Sequence, residues 1–358
     1  MKIIFFTDVY HGGIETYLNN LISFNCNKFK KIRIEIVFYG DKNTYLKFIK
    51  DFKSYSNIKI HFILINFSNL ISYIEIFLNS FFYFIIKKII NLSKKEKTIF
   101  LFNTVKSSLF LPFFHIFKNE NDRFYFQFHG FYDRERLSEE IFDLNFNKSI
   151  FIVKKIRFII IWIKFFFRKY LSKFIFSLSD KIIVLSNYSK KEFLEFYKLN
   201  PNKVILLKPG IPNFENNELI DNNFFSNKFY LKIGIFQRLE PRKKIIEVLK
   251  VFRKVLSLNQ KIILFIFTPF VNLNMNYFLK IIKEIDELNL GNNIFFINNP
   301  SNLAFFYKNI DITILSSFEL ETFSFSSIES LINGTPVFAY YNSGAKDYII
   351  DKKKWIFV

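Results

Sequence analysis

Residues 311–341, DITILSSFELETFSFSSIESLINGTPVFAYY, run from a short apolar segment through a polar loop into a helical pattern and out again. DITILS reads as a strand, SSIESLING as a helix and TPVFAYY as the next strand. Gly334 and Pro336 mark the helix stop and the strand start. Alternation of this kind builds an α/β fold with parallel sheets. Within the helix start, Ser326-Ser327-Ile328-Glu329 fits a capping box, in which Ser accepts from a backbone N–H and Glu reaches back.

The alternation continues in both directions. Upstream lie FYLKIGIFQ (strand), KKIIEVLKVFRKVLS (helix), KIILFIFT (strand), MNYFLKIIKEIDEL (helix), NIFFIN (strand) and SNLAFFYKN (short helix). Before them, PNFENNELIDNNFFSNK is polar, Asn-rich and carries Pro212, which makes residues 213–228 a linker. The N-terminal part repeats the pattern. KIIFFTD has the continuous apolar character of a buried parallel strand, and RIEIVFYG, KIHFILI, TIFLFN, RFYFQFHG and DKIIVLS follow it. The division is an N-terminal domain over 1–212 and a C-terminal domain over 229–358. Both are doubly wound, Rossmann-like and face a cleft, with ligands expected beyond the carboxyl ends of the strands.

A length of 358 residues holds two such cores. The single Cys26 rules out a disulfide framework and suits a reducing compartment. His11, His61, His115 and His129 are scattered, so no zinc-ligand spacing is present. The N-terminus meets an acid and a Gly pair too soon for a signal peptide.

A formal charge of +20 calls for an anionic partner or surface, yet no nucleic-acid recognition module is present. SIFIVKKIRFIIIWIKFFFRKYLSKFIFSLS, residues 149–179, contains no acid, and its runs of Ile and Phe are interrupted by Lys and Arg. The interruptions are too frequent for a spanning helix, which needs roughly 20 mostly apolar residues. The stretch reads as a basic amphipathic element on an anionic membrane surface, or else as a core helix whose cations snorkel. FLNSFFYFIIKKII, residues 77–90, has similar character.

Candidate site residues fall at strand ends, each with a mundane alternative. Gly12-Gly13 follows the first strand and lets backbone approach a phosphate or sugar, or simply turns the chain. His129 ends a strand and is placed to bond a ligand or a loop. Arg238 and Lys243, in QRLEPRKK, suit a diphosphate, or else Lys243 forms a solvated helix face with Arg242 and Lys244. Neither GxGxxG nor a P-loop is present.

Taken in order, these fragments resemble the retaining glycosyltransferases of the GT-B type, family 4. The resemblance runs through HGGIETYLNNL, FHG at 128–130, SDKIIVLSNYSKKEF, Arg238-Leu239 with Lys243, and Glu321-Thr-Phe-Ser-Phe-Ser-Ser-Ile-Glu329. GTPV at 334–337 and NSGAKDYI follow. The sequence departs from the family at Lys244, Thr322 and Ser324, where glycine is usual, and at Pro209-Gly210, usually Pro-Asn-Gly. DYIIDKKKWIFV stops where family members continue, so the C-terminal domain reads as truncated.

The resemblance implies transfer of a sugar from a nucleotide diphosphate sugar to an acceptor, with retention, without metal and without cofactor. It assigns the leaving diphosphate to Arg238 and Lys243, the donor sugar to Glu321 and the ribose to Glu329. Backbone N–H groups around Phe323, Ser324 and Phe325 meet negative charge. His129 and the Gly12-Gly13 pair fall near the transferred sugar and acceptor. Glu321 and Glu329 are thereby not a glycosidase acid and nucleophile pair. The expected acceptor is lipid-linked or a polysaccharide, in cell-surface glycan assembly on the cytoplasmic face of the plasma membrane. An inactive or truncated homologue and a basic nucleic-acid-binding protein remain as other readings.

Overall fold

The computed structural model describes residues 1–7, 18, 33–40, 46, 49–50, 58–64, 97–105, 107–109, 111–116, 118–146, 151–210, 231–269, 274–298, 300, 302–317, 321–341, 343–348 and 355–357. The Gly12-Gly13 pair, the stretch 77–90 and the linker 213–228 lie outside the described residues. The chain forms two compact units, one of residues 1–129 and 167–212, the other of residues 130–166 and 213–358.

In the first unit seven parallel strands are ordered β3-β2-β1-β4-β5-β6-β7. They are β1 (Lys2–Thr7), β2 (Arg33–Gly40), β3 (Ile58–Leu64), β4 (Thr98–Phe102), β5 (Asp122–Gln127), β6 (Lys181–Val184) and β7 (Val204–Leu206). The heavy use of Phe is absorbed here by packing. Helix α1 (Leu111–Ile116) sets Phe114 among Phe6, Phe100, Phe102 and Phe124, with ring centroids 4.9–6.5 Å apart. Such aromatic clusters combine large apolar area with directional ring contacts. Asp180, just before β6, has a structural task. Its carboxylate accepts from Lys118 Nζ at 2.6 Å and from the Phe124 backbone N–H at 2.7 Å, tying β6 to β5.

Residues 130–166 depart from a simple division at residue 212. They hold α2 (Tyr132–Phe146) and the first part of α3 (Phe151–Leu178), and they group with the second unit. Phe142 of α2 meets Tyr277 edge-on at 5.2 Å, and Asp143 accepts from Asn276 Nδ2 at 3.0 Å. Helix α4 (Asn187–Tyr197) returns to the first unit. Its capping box is formed by Ser186 and Ser189, each hydroxyl accepting from the other's N–H.

The second unit has six parallel strands ordered β10-β9-β8-β11-β12-β13. They are β8 (Leu231–Phe236), β9 (Ile262–Thr268), β10 (Ile294–Asn298), β11 (Ile312–Leu315), β12 (Val337–Ala339) and β13 (Trp355–Phe357). β13, which the sequence pattern does not announce, pairs with β12. Between the strands run α5 (Ile245–Leu258), α6 (Met275–Glu287), α7 (Leu303–Asn309) and α8 (Phe325–Ile332). In α5, Ile245, Leu249, Phe252 and Leu256 recur at helical spacing and bury against Ile233, Ile235, Leu264 and Ile266 of the sheet. On the other face Phe236 stacks on Phe267 at 4.1 Å and on Tyr307 at 4.0 Å. The strand order reverses at β8, which has β9 on one side and β11 on the other. A reversal of this kind opens a crevice at the strands' carboxyl ends.

Candidate active site

The carboxyl ends of β8 and β11 carry Gln237, Ser316 and Ser317. Gln237 Nε2 donates to Ser316 Oγ at 2.5 Å, and Ser316 Oγ donates to the Lys243 carbonyl at 2.5 Å. Ser317 Oγ donates to Gln237 Oε1 at 3.5 Å. These bonds fasten the loop after β8 to the end of β11, so that residues 78 apart meet: Lys243 Nζ donates to Glu321 Oε2 at 2.5 Å.

Lys243 ends a single 3₁₀ turn, Pro241–Lys243, and is 7 % exposed. Arg242 is also largely withdrawn from solvent, so the solvated-helix-face reading does not hold for either. Arg238 Nη1 lies 2.8 Å from Glu240 Oε1, and Arg242 Nε lies 2.9 Å from Glu240 Oε2. Arg242 Nη2 is 3.7 Å from Glu135 of α2. One carboxylate therefore bridges two guanidinium groups, and a second acid holds the buried one from behind.

The electrostatics follow from this pairing. Burial pushes Glu321 upward, but Lys243 and then Arg242 outweigh it and hold the carboxyl at about 2. Burial lowers the Lys243 ammonium, with Glu321 opposing. Burial likewise raises Glu240, and Arg242 and Arg238 bring it below its ordinary value.

The capping box expected at Ser326 and Glu329 is not formed. α8 starts at Phe325, and its N-cap is Ser324 at φ 63°, ψ 80°, with no side-chain bond to the helix N–H groups. Left-handed backbone turns the Ser324 hydroxyl to Ser327 Oγ, 2.6 Å away. Glu329 accepts from Tyr307 Oη at 3.0 Å instead. Burial raises Glu329 to about 7, against the opposing Tyr307 bond.

The backbone of the loop is held from behind. Gly344 N–H donates to the Glu321 carbonyl at 2.7 Å, and a Cβ on Gly344 would collide with the Thr322 carbonyl. Tyr348 Oη donates to the Phe323 carbonyl at 2.5 Å and the Ser324 carbonyl at 2.9 Å. Phe323 packs between Phe325 and Tyr348, at 5.0 and 5.5 Å.

Of the expected residues, Arg238, Lys243, Glu321, Phe323, Ser324, Phe325 and Glu329 all belong to the second unit. His129 belongs to the first, two residues past β5, where burial lowers its imidazole to about 3 and keeps it neutral. Gly12 and Gly13 are outside the described residues. Sequence reasoning missed Gln237, Ser316, Glu240, Glu135, Tyr307, Gly344 and Tyr348 as parts of this arrangement. Glu240 stands inside the Arg-to-Lys stretch and Gly344 inside NSGAK, so both were within reach. Nothing local marks Glu135 or Tyr307.

Residues 216–358 match the family model of glycosyl transferases group 1. No curated protein matches the chain. Among solved structures, a glycosyltransferase from Rickettsia africae ESF-5 is similar at 18 % identity and TM-score 0.67, covering 100 % of this chain and 83 % of that one. Anabaena Alr3699/HepE in complex with UDP and glucose is similar at 14 % identity and TM-score 0.69, covering 100 % and 85 %. The sucrose-phosphate synthase tll1590 from Thermosynechococcus elongatus gives 14 % and 0.68 over the same shares. At these identities the likenesses speak for the fold. Through residues 216–358 the chain is similar to the group 1 glycosyl transferases, and its two parallel-sheet, Rossmann-like units have the fold of GT-B glycosyltransferases.

Proposed function

We propose that the protein is a retaining, metal-independent glycosyltransferase of family 4 that moves a sugar from a nucleotide diphosphate sugar to a lipid-linked or polysaccharide acceptor. The observation that carries this reading is the set of cations at the strand-order reversal: Lys243 against Glu321, with Arg238 38 % exposed beside them. Transfer leaves a diphosphate behind, and its charge needs preorganised donors in a site where water is scarce. Arg238 supplies a planar fork and Lys243 a point charge. Anabaena HepE, which shares the fold, binds UDP and glucose, and that supports a nucleotide-sugar donor.

Glu321, ionised through its cation partners, accepts from hydroxyls of the donor sugar. Glu329 accepts from the ribose, beside the N–H groups at the start of α8, which favour negative charge. Attack comes from the face the leaving group departs, with no protein nucleophile. His129 and the Gly12-Gly13 pair are assigned to the transferred sugar and acceptor by resemblance alone. The setting is cell-surface glycan or glycolipid assembly at the cytoplasmic face of the membrane.

The test is thermal shift and turnover with a panel of nucleotide sugars and a lipid extract as acceptor. A shift with one nucleotide, abolished in Arg238→Ala, together with sugar transfer supports the reading. Stabilisation without transfer identifies an inactive binder, and no stabilisation by any nucleotide defeats the donor assignment.

A further inference from the structure

From Ile161 onward the fold covers one apolar face of helix α3, whereas residues 151–160 are exposed or only partly buried on every side. Ile161, Phe165, Ser172 and Phe176 are between 0 % and 8 % exposed. At 3.6 residues per turn these positions form one stripe. Phe176 of that stripe packs against Phe126, Phe128, Phe193 and Tyr197. About half a turn away, Ile152, Ile156, Ile159, Ile163, Tyr170 and Phe174 form a second stripe, each between 51 % and 67 % exposed. Phe166 and Phe167 fill the interval in it and are exposed too. A helical apolar pattern normally marks the side that meets the core. From Ile161 onward the core side is already accounted for, and the second stripe runs along about 33 Å of helix in solvent.

Cations border that stripe. Lys155 and Lys173 fall on one flank and Lys164 towards the other, where it lines a cavity with Arg157, Glu140 and Asp143, while residues 149–179 themselves contain no acid. No described helix is long and apolar enough to cross a membrane. The combination of exposed Ile and Phe with flanking Lys and Arg suits a helix lying in the plane of an interface, its apolar stripe among acyl chains and its cations among anionic headgroups. A second copy of the same face would set like charges against one another, and a nucleic acid would leave the apolar stripe wet.

We infer that the exposed stripe of α3, from Ile152 to Phe174, is a docking surface for an anionic lipid bilayer. The inference deepens the proposed lipid-linked acceptor by naming the surface that brings the protein to it, and it rests on that reading only for its purpose.

The experiment is flotation of the full chain with vesicles of phosphatidylcholine alone and of phosphatidylcholine mixed with phosphatidylglycerol, with UDP binding measured on the same samples. Wild type is expected to float with the mixed vesicles and to stay behind with the neutral ones. Ile156→Ser, Ile163→Ser and Tyr170→Ser together are expected to cut recovery about tenfold or more, since partitioning scales with buried apolar area. Because these side chains are exposed, unchanged circular dichroism is expected. Lys155→Glu with Lys173→Glu is expected to abolish the preference for anionic lipid. Recovery of the triple variant equal to wild type overturns the inference, as does absence of wild type from both vesicle types. So does a wild-type dimer dissolved by the triple substitution without vesicle recovery, which assigns the stripe to a second copy. Absence of wild-type recovery from both vesicle types with UDP binding intact rejects the surface and spares the transferase reading. Vesicle binding without any nucleotide binding does the reverse.

Discussion

Glu321 and Glu329 belong to one loop and helix, yet their surroundings move their proton affinities in opposite directions. Glu321, held at about 2 instead of 4.5, contributes stability that is present above pH 4.5 and is lost as the pH falls towards 2. Glu329, raised to about 7, favours the folded state when protonated; that contribution is full below pH 4.5 and is lost as the pH rises through 7. Glu329→Gln is therefore expected to flatten the decline of the thermal midpoint between pH 4.5 and about 7. Above that range the variant should exceed wild type by roughly 3 kcal/mol, since each pKa unit is worth about 1.4 kcal/mol. A ribose hydroxyl donates to a carboxylate, so nucleotide affinity in wild type should strengthen as the pH rises through 7, and calorimetry on Glu329→Gln should show no such rise. Lys243→Ala leaves the Glu321 carboxylate buried beside Arg242 without its nearest partner. Loss of about 3 kcal/mol in chemical denaturation is expected, with nucleotide binding abolished.

At the scale of elements, the departures from glycine become physical. Lys244 and Ser324, at positions where the family the sequence resembles carries glycine, both have left-handed backbone, at φ 55° and 63°. A side chain in that region costs about 1 kcal/mol or more. Ser324→Gly and Lys244→Gly are each expected to stabilise the protein by up to about 1 kcal/mol, read as a rise in thermal midpoint. The opposite case is Gly344, whose Cα lies so close to the 321–323 backbone that a Cβ would displace Thr322 and approach the Phe323 nitrogen to 2.7 Å. Gly344→Ala is expected to shift Glu321 off Lys243 and weaken nucleotide binding about tenfold or more, a loss that Ala substitution at the solvent-facing Lys254 should not produce.

At the scale of the whole molecule, residues 130–166 interrupt one unit and complete the other. Helix α2 supplies Phe142 to Tyr277 and Glu135 to Arg242, so an element early in the chain supports the loop that presents Lys243 and Arg238. Phe142→Ala in the full chain is expected to cost about 2 kcal/mol, because a partly buried ring leaves a cavity against α6. Hydrogen exchange should localise the loss to α6 and the 238–243 loop, with β1 to β4 unaffected. Uniform loss of protection across both units would contradict the division.

The alternation of apolar runs and helical patterns was enough to predict parallel sheets, because a strand or helix records its period locally. The placing of Arg238, Lys243 and Glu321 in loops after strands was legible for the same reason: each stands a few residues beyond a recognisable strand. The capping box at Ser326 was misread because its spacing is common, while the left-handed turn at Ser324 depends on Tyr348 and Gly344 behind it. Glu135 against Arg242, and Tyr307 against Glu329, join positions whose separation no local pattern encodes. The same limit applies to α3, whose sequence shows apolar residues all round. By itself the sequence determined which segments are strands and helices and put cations at their ends. Only the tertiary structure decided which acids those cations meet and which side of α3 is covered, since contact and burial are set by how distant elements pack.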